Sequence, residues 1–106
     1  MKPILAAILV FSALNLVPEA DGQPGRTPEE IADARTRKMT ELVGLRPAQV
    51  SKVRAVNLEY ARKIAAARET GQPPATINRI RYRQNQELKG LLTPNQYLLY
   101  QRSGIE

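Results

Sequence analysis

The chain has 106 residues, with 16 lysines and arginines against 10 aspartates and glutamates, and no histidine, cysteine or tryptophan. That length allows one domain at most, and the missing residues exclude a disulfide framework, a thiolate metal site, and histidine as general base or metal ligand. No paired carboxylates or activated Ser, Thr or Lys group together either, so neither an enzyme nor a cofactor is expected.

The N-terminus has the layout of a secretory signal peptide. Met1-Lys2 is a short positive start, and Ile4 to Val17 is an apolar run broken only by Ser12 and Asn15. Polar EADGQPG follows, with Ala20-Asp21-Gly22 as a small-x-small cleavage site. The run of about 14 residues falls short of the roughly 18 needed to span a bilayer as an ordinary helix. Residues 1–22 are therefore expected to be removed near Gly22-Gln23, leaving no stable membrane anchor. An uncleaved anchor and a buried N-terminal helix are the alternatives. No cysteine follows the run, and a cysteine-free exported chain suits the bacterial periplasm. Lys2, Glu19 and Asp21 leave with the segment, so the net charge of +6 becomes +7 over 84 residues. A chain that short carries a small core, and self-association is the economical remedy.

Residues 23–106 read as one all-helical domain punctuated by proline. Thr27-Pro28-Glu29-Glu30 opens a first helix, with Thr27 as cap, Pro28 at the first helical position and Glu30 reaching back. Ile31, Ala34, Met39 and Leu42 form its expected apolar stripe, and Gly44 its stop. A second helix runs from Pro47 to about Thr70. Val50, Val53, Asn57, Tyr60, Ile64 and Ala67 recur there at alternating steps of three and four, a heptad-like seam. Gly71 and Gln72-Pro73-Pro74 make a stiff turn. The third helix carries Ile77, Ile80, Gln84, Leu88 and Leu91 on one face. A short fourth begins at Pro94 and ends near Arg102-Ser103-Gly104. No segment alternates convincingly at the strand period. Asn57 and Gln84 interrupt apolar seams, either fixing helix register or facing an open concave side.

One pattern occurs twice. In LLTPNQY, Thr93 is the N-cap, Pro94 the first helical residue and Gln96 the third, which makes a capping box, with Leu92 set to pack on Tyr97. GLRPAQV repeats the frame with Leu45, Pro47, Gln49 and Val50, but Arg46 replaces the threonine and its side-chain cap, worth about 1 kcal/mol. Upstream, Glu41-Leu42-Val43-Gly44-Leu45 parallels Glu87-Leu88-Lys89-Gly90-Leu91. The chain reads as two related units, each a helix, a bend and a capped helix.

A Leu-Thr-Pro-x-Gln element used twice in a small, basic, exported helical protein resembles the Spy/CpxP family, also called the LTxxQ-motif family, in particular its short members. Leu92-Thr93-Pro94-Asn95-Gln96 matches the motif in full and Leu45-Arg46-Pro47-Ala48-Gln49 departs at the threonine; the resemblance spans about residues 35 to 101. It implies an all-α fold in which a long antiparallel helical hairpin, flanked by short helices bent at the motifs, pairs with a second copy into a thin, cradle-like homodimer. It also implies an ATP-independent periplasmic chaperone or a damper of envelope-stress sensing. Family members that bind metal use histidines, which this chain lacks.

A candidate polypeptide-binding surface follows from the helical wheel. Arg54, Leu58, Ala61, Ala65 and Arg68 form a mixed cationic and apolar stripe beside the seam of the second helix. Arg81 and Tyr82 lie on the third, in NRIRYRQ. Arginine among apolar side chains attracts acidic segments at long range and holds them by non-directional contact, without demanding one sequence. The same stripe could equally be the flank of a hairpin or dimer core, with arginine stems laid over it. Tyr82 could equally be a lone aromatic on a solvated basic face. The expected partners are unfolded or partly folded proteins, bound by a holdase-type chaperone or envelope-stress protein. The alternative is a regulatory modulator docking on the periplasmic domain of a membrane sensor. A nucleic-acid-binding role has only the net charge in its favour, since no zinc motif, phosphate loop or RNA-binding aromatic pattern is present.

Overall fold

A computed structural model describes residues 26–105. The expected signal peptide, residues 1–22 with its cleavage site, lies outside the described residues. Four helices follow in chain order, α1 (Pro28–Val43), α2 (Pro47–Glu69), α3 (Pro74–Leu91) and α4 (Pro94–Ser103), and the described residues contain no strand.

All four helices start on proline for the same local reason. Proline's fixed φ suits the first turn, where its missing N–H has no partner to lose, and its ring forces the preceding residue into extended backbone. Thr27, Arg46, Pro73 and Thr93 accordingly have ψ between 157° and 163°. Thr27 and Thr93 accept the N–H groups of Glu30 (3.0 Å) and Gln96 (3.1 Å), while Glu30 and Gln96 accept those of Thr27 (2.9 Å) and Thr93 (3.0 Å). At α2 half of this box survives. Gln49 Oε1 accepts the Arg46 N–H at 2.8 Å, but a guanidinium has no lone pair to offer in return. Gly44 and Gly104 close α1 and α4 with φ of 78° and 75°, which only glycine adopts freely.

The helices pack in a ring. α2 lies against α1 and α3, α4 closes the opposite side against the same two, and α1 and α3 do not approach each other. On α2 and α3 partner numbers run in opposite directions, Gln49 meeting Leu91 and Asn57 meeting Gln84. The apolar core fills the end of the ring nearest the two bends. Met39, Val53 and Leu88 are fully buried there with Val43 and Tyr100, sealed by Leu45 and Leu92 from the two motifs. Burial of each large side chain contributes about 1.5–3 kcal/mol.

The α1 stripe differs from the expected one. Ala32, Thr36, Met39 and Val43 are buried, whereas Leu42 is 52% exposed. Thr36 explains the rotation. Its hydroxyl accepts a 2.9 Å bond from the Asn57 amide, so a residue counted as polar belongs to the interior.

The repeated motifs meet in space. Gln49 Nε2 donates to Gln96 Oε1 (2.7 Å), and Gln96 Nε2 to Gln49 Oε1 (2.9 Å), across 47 residues of sequence. Each Oε1 also accepts the N–H of its own N-cap, and each Nε2 also donates to the carbonyl ending the helix before the other motif. Gln49 thus reaches Leu91 O and Gln96 reaches Gly44 O, both at 3.0 Å. Both donors and both acceptor positions of each amide are used, and two orphan helix-terminal carbonyls are satisfied. The same 47-residue shift carries Val50 onto Tyr97 and Val53 onto Tyr100, so the clasp marks an approximate two-fold axis.

Candidate functional site

Beyond the core, the described residues leave a space between α1 and α3. It forms a shallow trough lined, among the described residues, by Ile31, Arg35, Asn57, Ala61, Ile64, Ala65, Arg68, Arg81 and Gln84. Helical spacing puts these side chains on facing surfaces. Asn57, Ala61, Ala65 and Arg68 recur at steps of four, four and three along α2, Ile31 and Arg35 are one turn apart on α1, and Arg81 and Gln84 one turn apart on α3. A more open recess of about 640 Å3 continues past Arg68 and Arg81 to the α2–α3 turn, over Pro74 and Ile77.

Two hydrogen-bonded bridges close the core end of the trough. At its floor Gln84 Nε2 donates to Asn57 Oδ1 (3.0 Å) and Asn57 Nδ2 to Thr36 Oγ1 (2.9 Å), tying α3, α2 and α1. All three residues are buried, so Asn57 and Gln84 hold register rather than facing solvent. At the rim Arg35 donates to the Tyr100 hydroxyl (2.5 Å), which donates to Asn85 Oδ1 (2.7 Å), tying α1, α4 and α3. Arg35 Nε is buried without a hydrogen-bond partner among the described residues. A partly buried cation whose assigned partner is a neutral phenol is an electrostatic deficit.

Charge is distributed unevenly around the molecule. On the outer face of α1 and α2, Arg54 pairs with Asp33 at 2.6 Å and Arg62 with Glu29 at 2.9 Å, and Lys63 bonds Glu59 at 3.0 Å. The hydrogen bond from Arg62 holds the Glu29 carboxyl below its usual range, and the bond to Asp33 raises the Arg54 guanidinium. These pairs are about half exposed and contribute little to stability. In the trough, Arg35, Arg68 and Arg81 stand beside an apolar floor of Ala61, Ile64 and Ala65. The buried Tyr60 hydroxyl on α2 donates to Glu87 on α3, and that bond, with burial and the carboxylate's charge, pushes its pKa up to about 12.

The expected surface is divided by this geometry. Ala61, Ala65, Arg68 and Arg81 come together in the trough. Arg54 lies in a separate shallow groove with Asp33 and Thr40. Leu58 is half-buried outside both, and Tyr82 is 64% exposed. Arg68 and Ala65 are exposed, Arg54 and Arg81 intermediate, and Ala61 buried as part of the floor. The α1 contribution, Ile31 and Arg35, was absent from the candidates. Its only sequence signal is an arginine four residues after an isoleucine on a face that the periodicity counts as half polar.

Among the described residues no group of three acidic side chains could hold a metal ion, and no helix is long and apolar enough to cross a membrane. Neither a curated protein nor a solved structure matches the chain. A family profile described as a domain of unknown function, DUF4890, matches residues 15–100, most of the sequence, and the protein belongs to that family.

Proposed function

We propose that the protein is a periplasmic, ATP-independent chaperone-like protein of the Spy/CpxP type, which holds unfolded or partly folded polypeptides on its surface without catalysis or cofactor. The observation that carries this reading is the trough. An apolar floor of Ala61, Ile64 and Ala65 rimmed by Arg35, Arg68 and Arg81 offers long-range attraction and weak, non-directional contact together. The clasped Leu-x-Pro-x-Gln motifs support it, because they bend the chain where the Spy/CpxP resemblance expects a cradle to bend. In this reading α2 and α3 are the arms of the hairpin and two copies pair into the cradle. The exposed Leu42, Leu98 and Leu99 are available for that pairing.

Purified protein should suppress aggregation of unrelated denatured substrates at near-stoichiometric amounts without ATP, as read by light scattering. Failure there, with tight binding to one acidic sensor domain, would instead make it a dedicated regulator of that sensor. Dimerisation is tested by the mass in solution at micromolar concentration, and a strict monomer refutes the cradle.

A further inference from the structure

Two tyrosines of α4 point inward and fix what lies on either side of that helix. The Tyr100 hydroxyl accepts from Arg35 of α1 and donates to Asn85 of α3, and the Lys89 ammonium stands over the Tyr97 ring at 5.6 Å. On α1, Arg35, Lys38 and Leu42 recur at steps of three and four, and on α3 so do Tyr82, Asn85 and Lys89. Each set is therefore one stripe bordering α4. Between them α4 turns Asn95, Leu98, Leu99 and Arg102 outward, on the side away from its tyrosines. The three stripes make a single face, and the exposed Leu42, Tyr82, Leu98 and Leu99 all stand on it. Lys38, Lys89 and Arg102 are exposed there too, and no carboxylate occurs at these positions. The neighbouring carboxylates are turned elsewhere. Glu87 accepts from Tyr60 of α2, and Glu41 lies about 100° round α1 from Leu42. The described ion pairs join α1 to α2 or run along α2, across the ring from α4. The 47-residue shift carries Ser51 and Lys52 onto Leu98 and Leu99, so the same two places are polar in the other half and the fold does not require leucine there.

We propose that this α4 face docks the protein on the surface of a bilayer containing anionic phospholipids. Leu42, Leu98 and Leu99 enter the boundary between headgroups and acyl chains, and Lys38, Lys89 and Arg102 meet the headgroup phosphates. Apolar side chains set among cations suit such a surface, because binding grows with the apolar area buried and with attraction to anionic lipid. Each lysine or arginine held near it raises affinity about fivefold. Tyr82 joins an apolar ring to a polar tip, which fits the headgroup level. No described helix is long and apolar enough to cross a membrane, so α4 lies on the bilayer rather than through it. A second copy fits this face less well, because symmetric pairing sets Lys38, Lys89 and Arg102 against the same cations. Pairing through another face leaves it open. None of these side chains is among the described lining residues of the trough, so membrane docking is independent of the polypeptide-binding reading.

The test sediments the purified protein with vesicles of phosphatidylcholine, alone or mixed with phosphatidylglycerol. Binding should be stronger to the anionic vesicles and should weaken as salt is raised. Lys38→Gln and Arg102→Gln should each weaken it about fivefold, while Lys52→Gln on α2 changes it less than about twofold. Leu98→Asp with Leu99→Asp should weaken it at least about tenfold, and the melting curve should be retained because both side chains are exposed. The chain has no tryptophan, so Leu98→Trp supplies a single reporter. Its emission should shift to the blue when anionic vesicles are added, whereas that of Ser51→Trp, its counterpart on α2, should not. If the apolar Ile4 to Val17 run alone held the protein on lipid, the substitutions on α4 would change nothing. That result, no binding at all, or equal shifts from the two tryptophans overturns the proposal. So does a dimer in solution that Leu98→Asp with Leu99→Asp splits into monomers, which gives the face to a second copy.

Discussion

Gln96→Ala tests the clasp most directly. The substitution removes the amide that accepts from Thr93 N–H and Gln49, and donates to Gly44 O and Gln49. Each such bond contributes about 0.5–1.5 kcal/mol net. Gly44 and Thr93 are exposed, so water replaces part of what is lost, and the expected cost is about 2–3 kcal/mol. Gln49→Ala should cost about the same, because its own amide bonds the equivalent four groups. The two amide–amide bonds are lost in both single variants but only once in the double variant. The double variant should therefore be less destabilised than the two effects added, by about 1–3 kcal/mol. Urea unfolding followed by far-UV circular dichroism measures all four proteins. Additivity to within about 0.3 kcal/mol would mean that the side chains do not meet, and the two-fold reading of the chain would fail with them.

Other outcomes follow from the same contacts. Arg46→Thr restores the missing half of the α2 capping box and should raise stability by about 1 kcal/mol in the same unfolding assay. Asn57→Ala strands the buried Thr36 hydroxyl and Gln84 amide and should cost about 2–4 kcal/mol, with a lower midpoint and an unchanged denaturant slope. Because the folded Tyr60 pKa is raised to about 12 from an ordinary value near 10, its contribution is complete below pH 10 and is lost as pH rises toward 12. The stability difference between native protein and Tyr60→Phe should thus be constant at neutral pH and vanish over that alkaline window.

The helix starts were legible because proline acts on its immediate neighbours. Pro28, Pro47, Pro74 and Pro94 fix the first turn and the preceding residue whatever the rest of the chain does. The α1 stripe was not legible, because Thr36 is an interior residue only once Asn57 is opposite it, and that partner comes from another helix. The clasp was half legible. Each motif predicted a local box, but a capping glutamine uses its oxygen and leaves its NH2 group unassigned. Two such groups in one repeat were the available hint that they satisfy each other. Arg54 and Arg68 fell on one stripe by angle along α2, and tertiary packing separated them, because α1 brings Asp33 to the first and the trough opens beside the second. Arg35 was missed because a site built across three helices leaves no contiguous trace in any one of them.

The clasp joins its two halves with neutral amides and backbone groups alone. Acid strong enough to protonate Glu29, whose carboxyl Arg62 holds below its usual range, undoes that exposed pair on the flank of α2, yet no member of the knuckle gains or loses a proton over the same range. The pivot of the molecule should therefore stay fastened at acidities that remove the ion pairing on its flank.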